Sequence, residues 1–150
     1  DQIGVIGGMD AEKLYLPEGE KAERSLLSTT GRGYFIVAVM GTTDEPTNHA
    51  MRGIGSISED LNKWARPIII LSRSKEDAEK LNREPLAALK PYYGIDINEK
   101  VGQMLCAGCD STSNQLPIIA ICDTFGRVVY FSQGYNTSIG EQLKSVIHKL

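Results

Sequence analysis

Cys106-Ala107-Gly108-Cys109 is the pattern most suited to chemistry in this chain. Two cysteines at that spacing can form a reversible disulfide or supply half of a zinc site. They can equally be a structural bridge or two incidental thiols in a surface loop. A zinc ion needs about four ligands. Only Asp110 and the distant His49 or His148 are at hand to complete the set, so no metal is expected. Glu45 and His49 stand one helical turn apart, the spacing of an acid–base pair. No nucleophile accompanies them, and capping and solvation is the plainer role. Cys122 ends an apolar run and reads as a small core residue. His148 suits the negative end of a last helix. Gly4 to Gly8 is not followed by the Lys and Ser/Thr of a phosphate loop, and Ser111 to Gln115 carries no catalytic pattern.

The elements that must position these residues are legible in the apolar pattern. Lys13 to Leu16 ends at the turn signal Pro17-Glu18-Gly19, and Arg24 to Leu27 is its expected return strand. Tyr34–Met40, Pro67–Ser72 and Ile118–Cys122 are unbroken apolar runs, which fit strands covered on both faces. Asp123 to Gly126 reads as a turn, and Arg127–Ser132 as the antiparallel strand after it. Met51, Ile54, Leu61 and Trp64 recur at helical spacing, with a kink expected at Gly53 and Gly55. Ser74 with Asp77 starts a second helix, running to about Asn82. Tyr92 to Ile95 is a short strand. Asp96 or Asn98 caps a helix carrying Ile97, Val101, Met104 and Leu105. Cys106 to Gln115 then reads as a loop. Ser138 and Glu141 form a capping box for a last helix lined by Ile139, Leu143, Val146, Ile147 and Leu150. Alternating strands and helices predict one α/β domain.

Bulk composition narrows the function classes. The 150 residues are 41% hydrophobic and 23% charged, ordinary for a globular domain with a real core. A net charge of −3 disfavours a nucleic-acid surface, which wants a concentrated basic patch. The longest apolar runs are too short to span a bilayer, so no membrane insertion is expected of this domain. Three cysteines do not make a disulfide framework and leave the compartment open. A start at Asp1 instead of Met is expected for a piece of a longer multidomain protein.

Leu116-Pro117, a strand, the Asp123 to Gly126 turn, a strand, Gly134 and a closing helix together resemble the second half of the thioredoxin fold. The order from Leu14 to Leu150 resembles the larger thioredoxin-like proteins, which include extracytoplasmic thiol–disulfide reductases and peroxiredoxin relatives. A narrower resemblance is to the C-terminal thioredoxin-like domain of secreted bacterial proteins with an upstream transglutaminase-like domain. It rests on Thr30 to Phe35, Glu45 to Ala50, Asp123 to Phe125, Arg127 to Val129 and Ser132 to Tyr135. The resemblance implies a thioredoxin-like three-layer α/β sandwich with a central mixed sheet and an N-terminal hairpin. It also implies a cis bond at Leu116-Pro117, a geometry that X-Pro bonds reach at little cost. Redox-active members carry Cys-x-x-Cys at the start of the helix after the first buried strand. The matching residues here are Asp44, Glu45, Pro46, Thr47, Asn48 and His49, with no cysteine. Thr47 or Asn48 is the expected cap of that helix.

The expectation is therefore a redox-inactive binding or structural module without a cofactor. Its groove beside Leu116 and Pro117 would take an extended peptide or an upstream domain of the same chain. By resemblance the protein is extracytoplasmic, periplasmic or at the cell surface. The alternative is a thiol–disulfide oxidoreductase using Cys106 and Cys109. The expected topology brings these cysteines near Asp44 to His49.

Overall fold

The computed structural model describes residues 13–15, 23–25, 33–41, 45–96, 99–108, 116–123 and 128–150. Gly4 to Gly8 and Asn98 lie outside them. Strands β1 (Lys13–Tyr15) and β2 (Glu23–Ser25) pair antiparallel as a small separate sheet. The return strand thus begins one residue before the expected Arg24.

The main sheet holds β3 (Phe35–Val39), β4 (Ile68–Ser72), β5 (Tyr92–Ile95), β6 (Ile118–Cys122) and β7 (Val128–Gln133). Their order is β5-β4-β3-β6-β7. β3, β4 and β5 run parallel, while β6 is antiparallel to both β3 and β7. Every residue of β3, β4 and β6 is buried. This is what an unbroken apolar run requires, since successive side chains point to opposite faces and both must be covered.

The two faces have different covers. Ile36, Ala38, Ile70 and Ile121 meet three helices: α1 (Glu45–Ser56), α2 (Ser58–Trp64) and the C-terminal helix. Val37, Val39, Leu71 and Ala120 meet Val101, Leu105 and Cys106 of the helix before β6. That helix is α4 (Lys100–Gly108), which follows α3 (Lys75–Lys80), and the C-terminal one is α5 (Ile139–Ile147). The result is a three-layer α/β sandwich.

Local chemistry sets several boundaries. Ser74 accepts the Asp77 N–H as an N-cap should. α3 stops at Lys80, short of Asn82, because Leu81 turns extended and the Asn82 side chain accepts the Glu84 N–H. A 3-10 turn, Glu84–Leu86, follows. Asp96 is 1% exposed, and its two carboxylate oxygens accept the N–H groups of Val101 and Gly102 at 2.7 and 2.9 Å. It is the cap of α4.

Four expectations need correction. The long helix breaks at Ile57, not at its glycines. Gly55 lies where an added Cβ would be 2.3 Å from the Pro85 carbonyl oxygen, so it serves close packing instead of a kink. α4 continues to Gly108, which makes Cys106 helical and not part of a loop. Ser138 makes no side-chain cap, so the capping box does not form. Asn136, two residues earlier, accepts the Ser138 N–H at 3.0 Å instead. Leu150, expected on the buried face of α5, is 43% exposed because the helix has ended before it.

Candidate functional site

The candidate site forms where β3 hands over to α1. β3 ends at Val39, and Met40 and Gly41 lead on, both buried. α1 begins at Glu45, with Pro46 in its first turn, where a missing N–H costs no helical bond. Asp44 lies outside the described residues. Thr47 and Asn48 fall inside the helix, so neither is its cap. Thr47 is fully buried, and its Oγ1 accepts the Gly41 N–H at 2.8 Å. The hydroxyl thus ties the helix start to the end of the central strand.

Glu45 is exposed at the positive end of α1, where an acid is favoured. It pairs with Arg52, two turns on, at 2.8 Å. Both side chains are more than half exposed, so the pair contributes about 0–1 kcal/mol. His49 turns the other way. Its Nε2 is 3.2 Å from the Thr137 carbonyl oxygen, which can only accept, so that nitrogen carries the proton. The ring packs 5.3 Å from Tyr135, centroid to centroid. The Glu45–His49 acid–base pair that the spacing allows is therefore not formed, because each side chain has another partner on a different side of α1.

Pro117 is buried, and the Leu116–Pro117 peptide bond is cis. The β3–β6 register pairs Val39 with Ile118, which sets Pro117 beside Met40 and the turn into α1. The Pro117 carbonyl accepts the Gly134 N–H at 2.9 Å. Leu116 packs against the core on the α4 side of the sheet. Pro46, Thr47, His49, Pro117, Gly134 and Tyr135 are thus gathered from three parts of the chain. A cleft of about 400 Å³ opens on one flank of α1, between Asn48, Gly55, Asn82 and Pro85. On the other flank a cleft of about 300 Å³ lies between His49, Ser56, Thr137 and Glu141.

The loop carrying Tyr135 and Thr137 is held by a polar network. Tyr130 Oη donates to Gln142 Oε1 at 2.6 Å, and Asn136 Nδ2 donates to the same oxygen and to Ser132 Oγ. Desolvation raises the Tyr130 pKa from 10.0, partly offset by hydrogen bonds from Ser132 and Asn136. The sequence reading missed this loop as a partner of His49. Asn136 before a helix is a turn signal, but nothing local announces a contact across 88 residues.

Cys106 does not join the site. It is 5% exposed in the last turns of α4, and its Sγ donates to Gln133 Oε1 at 3.8 Å. Its neighbours belong to the core face opposite the one α1 covers. Cys106 is thus packed on the α4 face of the sheet, while α1 covers the other face. Cys109 is outside the described residues. Cys122 is fully buried in β6. His148, at the end of α5, faces Asp60 of α2 at 3.2 Å. Among the described residues no group of three metal-ligating side chains comes together, and no helix is long and apolar enough to cross a membrane.

No protein-family model matches the chain, and no curated protein does. Solved structures do match it. An uncharacterised thioredoxin-like protein from Porphyromonas gingivalis is 20% identical, with a TM-score of 0.64 over 100% of this chain and 94% of that one. The bacterioferritin comigratory protein of Xanthomonas campestris, described for alkyl peroxide reduction, reaches 0.70 at 11% identity over 95% and 94%. A thiol:disulfide interchange protein from Bacteroides sp. gives 0.63 at 14% identity over 92% and 88%. At these identities the likeness is one of fold. The mixed five-stranded sheet with helices on both faces is the thioredoxin-like α/β fold.

Proposed function

We propose that this thioredoxin-fold chain is a binding module that performs no dithiol–disulfide exchange. The observation that carries the reading is the first turn of α1. Residues 41–49 hold no sulfur, and Thr47 uses its only side-chain oxygen to bind the Gly41 N–H. Disulfide exchange needs a thiolate, and the favoured place for one is a helix N-terminus. Here that place holds a buried hydroxyl and an exposed carboxylate.

What this site offers is recognition. The Pro117 loop stands beside the start of α1, with Tyr135 exposed next to it. An extended peptide can pair with backbone in such a groove, whether it comes from a separate partner or from an upstream domain of the same chain. The finer reading places the module in a secreted bacterial protein with a transglutaminase-like neighbour. It is supported by the motifs at 30–35 and 45–50, and extracytoplasmic placement goes with it.

Exchange through Cys106 and Cys109 would have to start from a different position. The Cys106 sulfur is buried near a helix C-terminus, away from the helix N-terminus that favours a thiolate. Insulin reduction in dithiothreitol tests the choice. The expected rate equals that of buffer. Turnover clearly above buffer that disappears in Cys106→Ser or Cys109→Ser would replace this reading with the oxidoreductase one.

A further inference from the structure

The larger of the two clefts beside α1, about 400 Å³, lies where the chain from Asn82 to Pro85 packs on the helix. Close contact fixes this junction. A Cβ on Gly55 would be 2.3 Å from the Pro85 carbonyl oxygen, so backbone meets backbone there. The Asn82 side chain accepts the Glu84 N–H at 3.2 Å and sets the turn. Asn62 of α2 donates to the Ala88 carbonyl at 3.4 Å and ties down the chain just beyond. The cleft is therefore built before anything enters it, as small-molecule sites usually are.

Its lining combines an apolar surface with a charge imbalance. Met51, only 1% exposed, lines it together with Gly55 and Pro85. Asn48, Arg52, Asn82 and Glu84 are the polar residues of the wall. Arg52 is already answered by Glu45 at 2.8 Å. Glu84 forms no ion pair within 4.0 Å among the described residues. One negative charge thus stands over an apolar surface with no cation to match it. Beside it Asn82 Oδ1 takes one N–H, and a carbonyl oxygen has a second lone pair. A hard metal ion wants six or more oxygens, and among the described residues no group of three metal-ligating side chains comes together. An organic cation with N–H donors and an apolar stem fits both features.

We propose that this cleft binds a primary amine on an aliphatic stem. The ammonium meets the Glu84 carboxylate and Asn82 Oδ1, and the stem lies on Met51 and Pro85. A free alkylamine and a lysine side chain share this chemistry. None of Pro117, Gly134 and Tyr135 lines the cleft, so the site does not depend on the reading proposed for that groove.

The test is a titration of the ¹⁵N-labelled protein with n-pentylamine at neutral pH, where the amine is charged. Pentanol supplies the stem without the charge, and ammonium chloride the charge without the stem. Pentylamine should give saturable shifts centred on residues 48–55 and 82–85. Each partial probe should bind at least about fivefold more weakly. Pentanol as good as pentylamine would overturn the ammonium contact, and ammonium as good would overturn the role of the apolar surface. Shifts centred elsewhere, or none, would overturn the site. Acetyl-Gly-Lys-Gly-amide distinguishes the sources: tighter binding than pentylamine names a lysine side chain, and weaker binding a free amine. Glu84→Gln keeps the shape and removes the charge. It should weaken pentylamine about fivefold or more at an unchanged Tm, because the turn uses the Glu84 backbone N–H and not its carboxylate. Glu59→Gln removes the same charge from α2, outside the cleft, and should leave binding as it was. Full binding by Glu84→Gln would sink the proposal, and so would equal losses in both variants, which would mean attraction to the net charge alone.

Discussion

Thr47 shows how much one hydroxyl can decide. It is fully buried, and it satisfies the N–H of Gly41, a residue itself buried at the end of the central strand. Thr47→Val keeps the shape and removes the acceptor. It should cost about 1–3 kcal/mol, the penalty for stranding a buried donor. Thr47→Ser keeps the acceptor and loses one methyl, which should cost about 1 kcal/mol. Urea unfolding of the two variants gives the comparison, and the reverse order would mean that the hydroxyl does not tie α1 to β3. The resemblance to thioredoxin-like proteins pointed to this position, because it follows the first buried strand. They did not reveal the role of Thr47, since its partner is set by the path of the intervening loop. Glu45 and His49 show the same limit. Their spacing allowed a pair, but Arg52 and Thr137 were the partners once the helix had packed.

At the scale of elements, the glycines of α1 are explained by what approaches them. Gly53 and Gly140 stand at the crossing of α1 and α5, where a Cβ on Gly140 would be 2.6 Å from the Gly53 carbonyl oxygen. A Cβ on Gly55 would strike the Pro85 carbonyl oxygen. Helix propensity favours Ala over Gly by about 1 kcal/mol. Gly55→Ala should nevertheless destabilise the fold by about 1–3 kcal/mol, because backbone must move to admit the methyl. A Cβ on Gly53 would clash with the Cγ2 of Ile139 but reach backbone, the Gly140 nitrogen, only at an ordinary 3.5 Å, so Gly53→Ala should cost less. Thermal unfolding of both variants checks this, and a stabilised Gly55→Ala would show that the 3-10 turn does not press on α1. The strands were legible because a fully apolar run has few other uses in a chain this size. Helix ends were less so. Asn136 took the role expected of Ser138, and Leu81 ended α3 early, as local hydrogen bonds competed at each boundary.

At the scale of the whole molecule, the sheet divides the chain's chemistry into two sides. α1, with the candidate site, covers one face, and Cys106 is packed against the other. Cys106 and Cys122 are at most 5% exposed. In the native protein both should resist iodoacetamide over a period in which the urea-unfolded chain is fully alkylated. Peptide mapping of the labelled sites reads this directly. Native labelling of Cys106 at the unfolded rate would mean that α4 does not shield it, and would return the oxidoreductase reading to contention.

The sequence by itself determined the class of the fold. Runs of apolar residues, their lengths and the turn signals between them are local quantities, and they fixed three buried strands, their edge partners and the helices between. It also determined that the start of α1 holds no thiol, since that is a matter of residue identity. Only the tertiary structure decided which residues share the site. His49 meets Tyr135 and Thr137, Pro117 stands by Met40, and Cys106 is on the far side of the sheet. Such meetings depend on strand order and on which face each helix covers. Those follow from the packing of the whole chain, because a side chain's neighbours across a sheet leave no periodic trace in its own segment.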